Sequence, residues 1–231
     1  MIGAVRERRR QVLRSRVSRL RAAHSYRAVL ALILATFAFT SIASDATWTT
    51  SVLLLLQSLT LATAIWTSGL ARPHSPLMVA LLAAGTGLAA ALFVSDRNGL
   101  VGAAGIVSAT LVAVTMVVIA VGVVDQNEVN AQSVTGAICI YLLFGIMFLF
   151  IYSALAILGS GDFFAQGTDG TRALRLYFSY VTLATLGYGD YTPAGDAGHS
   201  LAVLEALLGQ VYLVTVVALL VSRVRVRREA D

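Results

Sequence analysis

The residues best suited to chemistry lie in one short stretch, Thr182-Leu183-Ala184-Thr185-Leu186-Gly187-Tyr188-Gly189-Asp190. Glycine alternates there with larger residues, and glycine reaches backbone conformations that a Cβ disfavours. Consecutive carbonyls can then turn to the same side. If several chains bring this strand to a shared axis, rings of carbonyl oxygens form that can replace the hydration shell of a monovalent cation. No other constellation competes with it. His24, His74 and His199 stand apart from one another, and Cys139 is the only cysteine and lies in an apolar run. No catalytic or metal cluster, no disulfide, no enzyme activity, no cofactor and no nucleic-acid partner is therefore expected.

Such a backbone has to be held by elements that suit its surroundings. The chain of 231 residues is 58% apolar and 13% charged, against about 25% charged in soluble domains, and its mean hydropathy is +0.80. A soluble globular domain and a disordered chain are both excluded. A membrane helix needs about 20 apolar residues, and six runs, free of charge except for Glu205 in the last, qualify or nearly so: residues 28–43, 50–70, 77–95, 99–124, 133–158 and 199–222. The first is the shortest, with Tyr26 and Trp48 as interfacial anchors on either side. Its alternative is a cleaved leader, because Ser41-Ile42-Ala43 has the small residues of a cleavage site. Non-helical backbone at membrane depth survives only where protein buries it or it lines a watery cavity. Residues 171–184 could form a helix of about 21 Å, enough to enter the bilayer and not to cross it. The spacing predicts a re-entrant half-helix leading into the strand, after a polar turret at residues 159–170.

All seventeen basic residues are arginine. Nine precede the first run, Arg72 lies between runs two and three, and Arg223, Arg225, Arg227 and Arg228 follow the sixth, leaving Arg97, Arg172 and Arg175 on the opposite side. The positive-inside rule then places both termini in the cytoplasm, in a cell membrane, with a prokaryotic source expected. The segment from Arg6 to Arg27 interleaves arginine with Val12, Leu13, Val17 and Leu20. It either lies on an anionic leaflet or serves as a solvated anchor.

The stretch from Thr182 to Asp190 resembles the signature of tetrameric potassium channels, with its paired threonines, the Gly-Tyr-Gly strand and the trailing aspartate together in a re-entrant context. The wider likeness covers about residues 133–226, a two-helix pore module. The resemblance implies an all-α membrane protein: six transmembrane helices, a re-entrant pore helix and a selectivity filter, in a fourfold homotetramer of this chain and three identical partners. It also implies that the carbonyls of Thr185, Leu186, Gly187 and Tyr188, with the Thr185 hydroxyl, hold permeant potassium, and that Gly189 sits at the outer mouth. Departures are Leu186 where valine is usual, Val181 where some members carry a glutamate, and Tyr177-Phe178 in place of a tryptophan pair. Asp190 therefore needs another support, for which the Tyr177 hydroxyl is the candidate, and Thr182 is expected to help brace the filter.

Arg172 and Arg175 sit at the positive end of the pore helix, where cations are disfavoured, so neutralisation by Asp162, Asp169 or Asp196 is expected. Glu205 is the only acid within a span, which marks it as functional or bracing; a hydrogen bond to Tyr180 or to the pore-helix backbone is expected. Gly209 is either a gating hinge or a close-packing position. Helical spacing from Gln210 puts Leu213, Val214, Val217 and Val221 on one face, with Val217 and Val221 as gate candidates.

The domain organisation expected is a basic N-terminal segment (residues 1–27), a four-helix membrane domain (28–124), a pore domain (133–222) and a basic tail (223–231). The fourth span has no arginine, so no voltage sensing is expected from it. Small residues such as Gly85, Gly87, Ala89, Gly102 and Gly105 suit close helix contact or reflect an alanine-rich composition. The short tail leaves no room in this chain for a ligand-binding domain after the sixth span. The function expected is passive potassium conduction; a weakly selective cation channel and a subunit of a potassium uptake system are the alternatives.

Overall fold

The computed structural model describes residues 26–68, 76–94, 98–125 and 131–230. The described residues form seven helices: α1 (Arg27–Ile42), α2 (Thr47–Ser68), α3 (Pro76–Val94), α4 (Asn98–Val124), α5 (Ala131–Leu158), α6 (Arg172–Leu183) and α7 (Asp196–Ala230). The protein is all-helical and spans the membrane several times. Helices α2 to α5 and residues Asp196–Val216 of α7 are each long and apolar enough to cross. Helix α1 is shorter, at 16 residues, about 24 Å against a hydrocarbon layer of about 30 Å. The arginine-rich start, Arg72 and Arg97 lie outside the described residues.

Helices α1 to α4 pack on one another, α4 leans on α5, and α1 reaches both α5 and α6. Apolar burial cannot drive association among lipid tails, so close packing must, and particular glycines provide it. A Cβ on Gly85 would lie 2.5 Å from Ser58 Oγ and 3.1 Å from Leu111, whereas one on Gly87 or Gly105 would meet nothing. The close-contact reading thus holds at Gly85 and at buried Ala89, and the composition reading at Gly87 and Gly105. Gly122 makes room for the Tyr26 hydroxyl and for Ser68, and Gly136 makes room for Val123 beside the edge of the Tyr26 ring. Tyr26 is fully buried and so is no interfacial anchor, because these glycines and Cys139 form a seat for it at the start of α1. Trp48 is exposed and its ring meets Phe39 edge-on.

The core of the four-helix domain is partly polar. Thr36, Thr40, Thr60 and Thr115 are buried there, and their hydroxyls donate to carbonyls four residues earlier in their own helices. Hydroxyls satisfied within their own turn need no partner across the bundle. No charged residue occurs in α4.

Candidate functional site

Helix α6 stands between α5 and α7, and its sequence explains both ends. Thr171 caps the N-terminus, its side chain accepting from the Leu174 N–H at 3.1 Å. Leu176, Phe178, Ser179, Val181 and Leu183 are buried while Tyr177 is exposed. The helix stops where Thr185 takes a left-handed φ of 56°, which no continuing α-helix allows.

Beyond that stop the backbone alternates. Thr185, Gly187 and Gly189 have φ of 56°, 55° and 75°, and among the described residues outside glycine only Thr185 is positive, so Leu186 and Tyr188 between them are negative. Alternation of this kind turns successive peptide planes so that carbonyls face one way. The N–H groups face the other: Thr185 donates to Thr182 O at 2.9 Å, and Leu186 and Gly187 donate to Val181 O at 2.9 and 3.4 Å. Thr182 and Val181 thus anchor the strand through main-chain oxygens. No hydrogen bond among the described residues ends on a carbonyl of residues 185–189. A left-handed threonine costs roughly 1–2 kcal/mol, a strain that persists only because its surroundings over-determine the conformation, here the hydrogen bonds to the end of α6.

Asp190 closes the strand. Its carboxylate accepts from the Tyr177 hydroxyl at 2.8 Å and from the Tyr191 N–H at 3.1 Å. This hydrogen bond to Asp190 holds the Tyr177 hydroxyl above its usual phenolic range. The chain then pairs with the turret: Ala165 N–H donates to Thr192 O and Ala194 N–H to Phe163 O, both at 2.8 Å. The turret is not simply polar. Phe163 and Phe164 are buried in it and pack against Phe178, Tyr152 and Tyr191, because the loop doubles back over the outer ends of α5 and α6.

Of the two arginines of α6, Arg172 finds another partner than the sequence implied, whereas Arg175 stays within the field of Asp169. The Arg172 N–H donates to both carboxylate oxygens of Asp45, at 3.1 and 3.3 Å, and its guanidinium reaches Thr50 at 2.9 Å, Thr49 at 3.4 Å and Asp45 at 3.9 Å. Asp45 lies in the turn between α1 and α2, so the four-helix domain supplies the counter-charge. Arg175 donates to Ser153 at 3.0 Å and to the carbonyls of Asp169 and Gly170 at 2.8 Å. The Asp169 carboxylate is taken by the Phe163 N–H at 3.0 Å. Burial pushes both guanidinium groups below their usual range, and Asp45 pulls the other way.

On α7, Glu205 is fully buried. Its partners are the Tyr152 hydroxyl at 2.5 Å and Ser179 Oγ at 2.5 Å, not Tyr180, whose hydroxyl donates to Leu142 O at 2.6 Å. The Tyr180 ring fills the space over Gly145, where a Cβ would come within 2.6 Å, and it faces Phe37 of α1 edge-on. Tyr180 is thereby committed to α1 and α5. Gly209 sits against the end of α6: a Cβ there would collide with the Leu183 carbonyl and lie 2.9 Å from the Leu183 side chain. Helix α7 runs without interruption through Gly209. Leu213 and Val214 are exposed in the single chain, whereas the side chains of Val217 and Val221 lie outside the described residues.

A helix, a half-helix with an extended carbonyl-bearing strand and a second helix thus form one unit. Residues 138–226 match a family model described as ion channel. This part of the chain is therefore similar to ion channel domains. No curated protein and no solved structure matches the chain. The matched region covers α6, the strand and most of α5 and α7, and leaves α1 to α4 outside it. Sequence reasoning missed Asp45, Ser153, Ser179 and Tyr152. Asp45 carried one usable signal: it is an acid in the short break between two apolar runs, on the side of the membrane assigned to Arg172.

Proposed function

We propose that the protein is the subunit of a potassium-selective channel in which four copies surround a single pore. The observation that carries this reading is the alternating φ of residues 185–189, with five consecutive carbonyls that accept no hydrogen bond among the described residues. Carbonyls left unpaired in a membrane protein need a partner, and a dehydrating monovalent cation at a ring of such carbonyls provides one. Thr185, Leu186, Gly187 and Tyr188 form the ion sites, and Gly189 opens to the outer solution.

One chain supplies one strand, so a closed ring requires cyclic copies. The uncovered apolar face of α7, with Val203, Leu207, Val211 and Val214 exposed, supports further copies as its cover. The C-terminus of α6 near Ala184 directs its negative dipole end to the cavity beneath the strand. Conduction is passive and needs no cofactor. The absence of charge in α4 supports gating without voltage-driven arginines, and the basic ends favour an anionic inner leaflet. Purified protein in liposomes with opposing potassium and sodium gradients tests the reading. Reversal potentials tracking potassium support it, equal passage of both ions establishes a weakly selective cation channel, and no flux without an energy source refutes passive conduction.

A further inference from the structure

The contacts of Glu205 contain more oxygen pairs than their hydroxyl protons can fill. Tyr152 Oη lies 2.5 Å from one carboxyl oxygen of Glu205, Ser179 Oγ lies 2.5 Å from the other, and the same Ser179 Oγ lies 2.8 Å from the Gly145 carbonyl. Each of these three contacts is at hydrogen-bond length and needs a proton between its oxygens. The two hydroxyls supply one each. A carbonyl has none to give, so the Ser179 proton is needed at Gly145 and the Tyr152 proton at Glu205. The contact between Ser179 and Glu205 is left without one.

We infer that Glu205 is held as a neutral carboxylic acid whose own proton, donated to Ser179 Oγ, pins the pore helix to α5 and α7. The chain runs from the Glu205 acid proton to Ser179, from the Ser179 hydroxyl to the Gly145 carbonyl of α5, and from the Tyr152 hydroxyl of α5 back to Glu205. The surroundings agree with neutrality. Glu205 is fully buried, and a buried carboxylate without a cation is costly. The titratable groups facing it are Tyr152 and Tyr141 of α5 and Tyr180 of α6. Arg175, one turn away on α6, spends its guanidinium on Ser153 and on two carbonyls of the turret. If the proton leaves, Ser179 must donate to the carboxylate instead, and its tie to Gly145 is lost. The pin is intact while the proton is bound and fails as pH rises.

The chain has four glutamates, Glu7, Glu128, Glu205 and Glu229, and only Glu205 lies in a membrane span. Solid-state NMR of the full-length protein, carboxyl-labelled on glutamate and reconstituted in bilayers at neutral pH, reads the proton without any substitution. One of the four signals is expected at the carboxylic-acid position and three at the carboxylate position. Four carboxylate signals overturn the inference. This reading is independent of conduction, so it separates a failure here from a failure of the channel assignment, on which only the second arm rests. In that arm, potassium flux of the wild type falls in a one-proton step on the alkaline side. Glu205→Gln, whose amide N–H can replace the acid proton, keeps its flux through the same range. Parallel alkaline loss in both proteins overturns the pin.

Discussion

Gly209→Ala separates the two roles open to this glycine in α7. The added Cβ would collide with the Leu183 carbonyl and come within 2.9 Å of the Leu183 side chain. An ordinary carbon-to-oxygen contact is about 3.3–3.6 Å, so α7 must retreat by roughly 1 Å, and no rotamer change can move a main-chain oxygen aside. Overpacking of this kind costs about 1–3 kcal/mol, and removing a mid-helix glycine returns up to about 1 kcal/mol. The net loss is about 0–3 kcal/mol per chain. Gly105→Ala is the matched control. Its Cβ meets nothing, so only the helix gain of roughly 0.5–1 kcal/mol remains, with the opposite sign. Thermal dissociation of the purified assembly in detergent, with potassium and sodium flux after reconstitution, measures both. Gly209→Ala should melt earlier and discriminate less between the two ions, because the C-terminal end of α6 carries the strand, while Gly105→Ala should melt at or above the wild type. If Gly209→Ala matches the wild type in melting and selectivity and alters only open dwell times, the close-packing argument is wrong and the hinge reading stands.

Three further outcomes follow from the same geometry. Tyr177→Phe removes the 2.8 Å hydrogen bond to Asp190 and should hasten loss of conduction during sustained single-channel recording; unchanged dwell times would show that the Tyr191 N–H suffices to hold the carboxylate. Gly187→Ala forces a side chain into φ of 55° at roughly 1–2 kcal/mol per subunit, and reversal potentials should move toward equal permeability for potassium and sodium, the opposite of what a side-chain-lined pore predicts. Asp45→Ala strips the N-terminal partner from α6 at about 0.5–2 kcal/mol. Its melting loss should largely remain in an Arg172→Gln background, whose main-chain N–H is unchanged, and disappearance of the loss there would show that the guanidinium contact at 3.9 Å carries the coupling instead.

Membrane architecture was legible from one dimension of information, because transfer into hydrocarbon depends on side-chain chemistry summed along a run. Runs of apolar residues located five spanning helices and the shorter α1 to within a few residues, except that α7 runs on to Ala230 through the stretch expected as a separate tail. The half-helix was equally readable: residues 171–184 are too few to cross, and a strand carrying two glycines follows. The Gly-Tyr-Gly strand and the aspartate after it are local in sequence, so their pattern is visible without a fold.

Partnerships across the sequence were another matter. Asp45 and Arg172 are 127 positions apart, and nearer acids such as Asp162 and Asp169 were equally good candidates on charge alone. Tyr180 and Ser179 are adjacent, and only the rotation of α6 sends one to Leu142 and the other to Glu205. The same rotation decides which glycine is a contact and which is open: Gly209 meets a main-chain carbonyl while Gly105 meets nothing, although both are small residues in apolar helices. Hydropathy fixes how deep a residue lies because water and lipid act on each side chain separately. Which neighbour it touches depends on helix rotation and approach, which arise from packing the whole bundle at once.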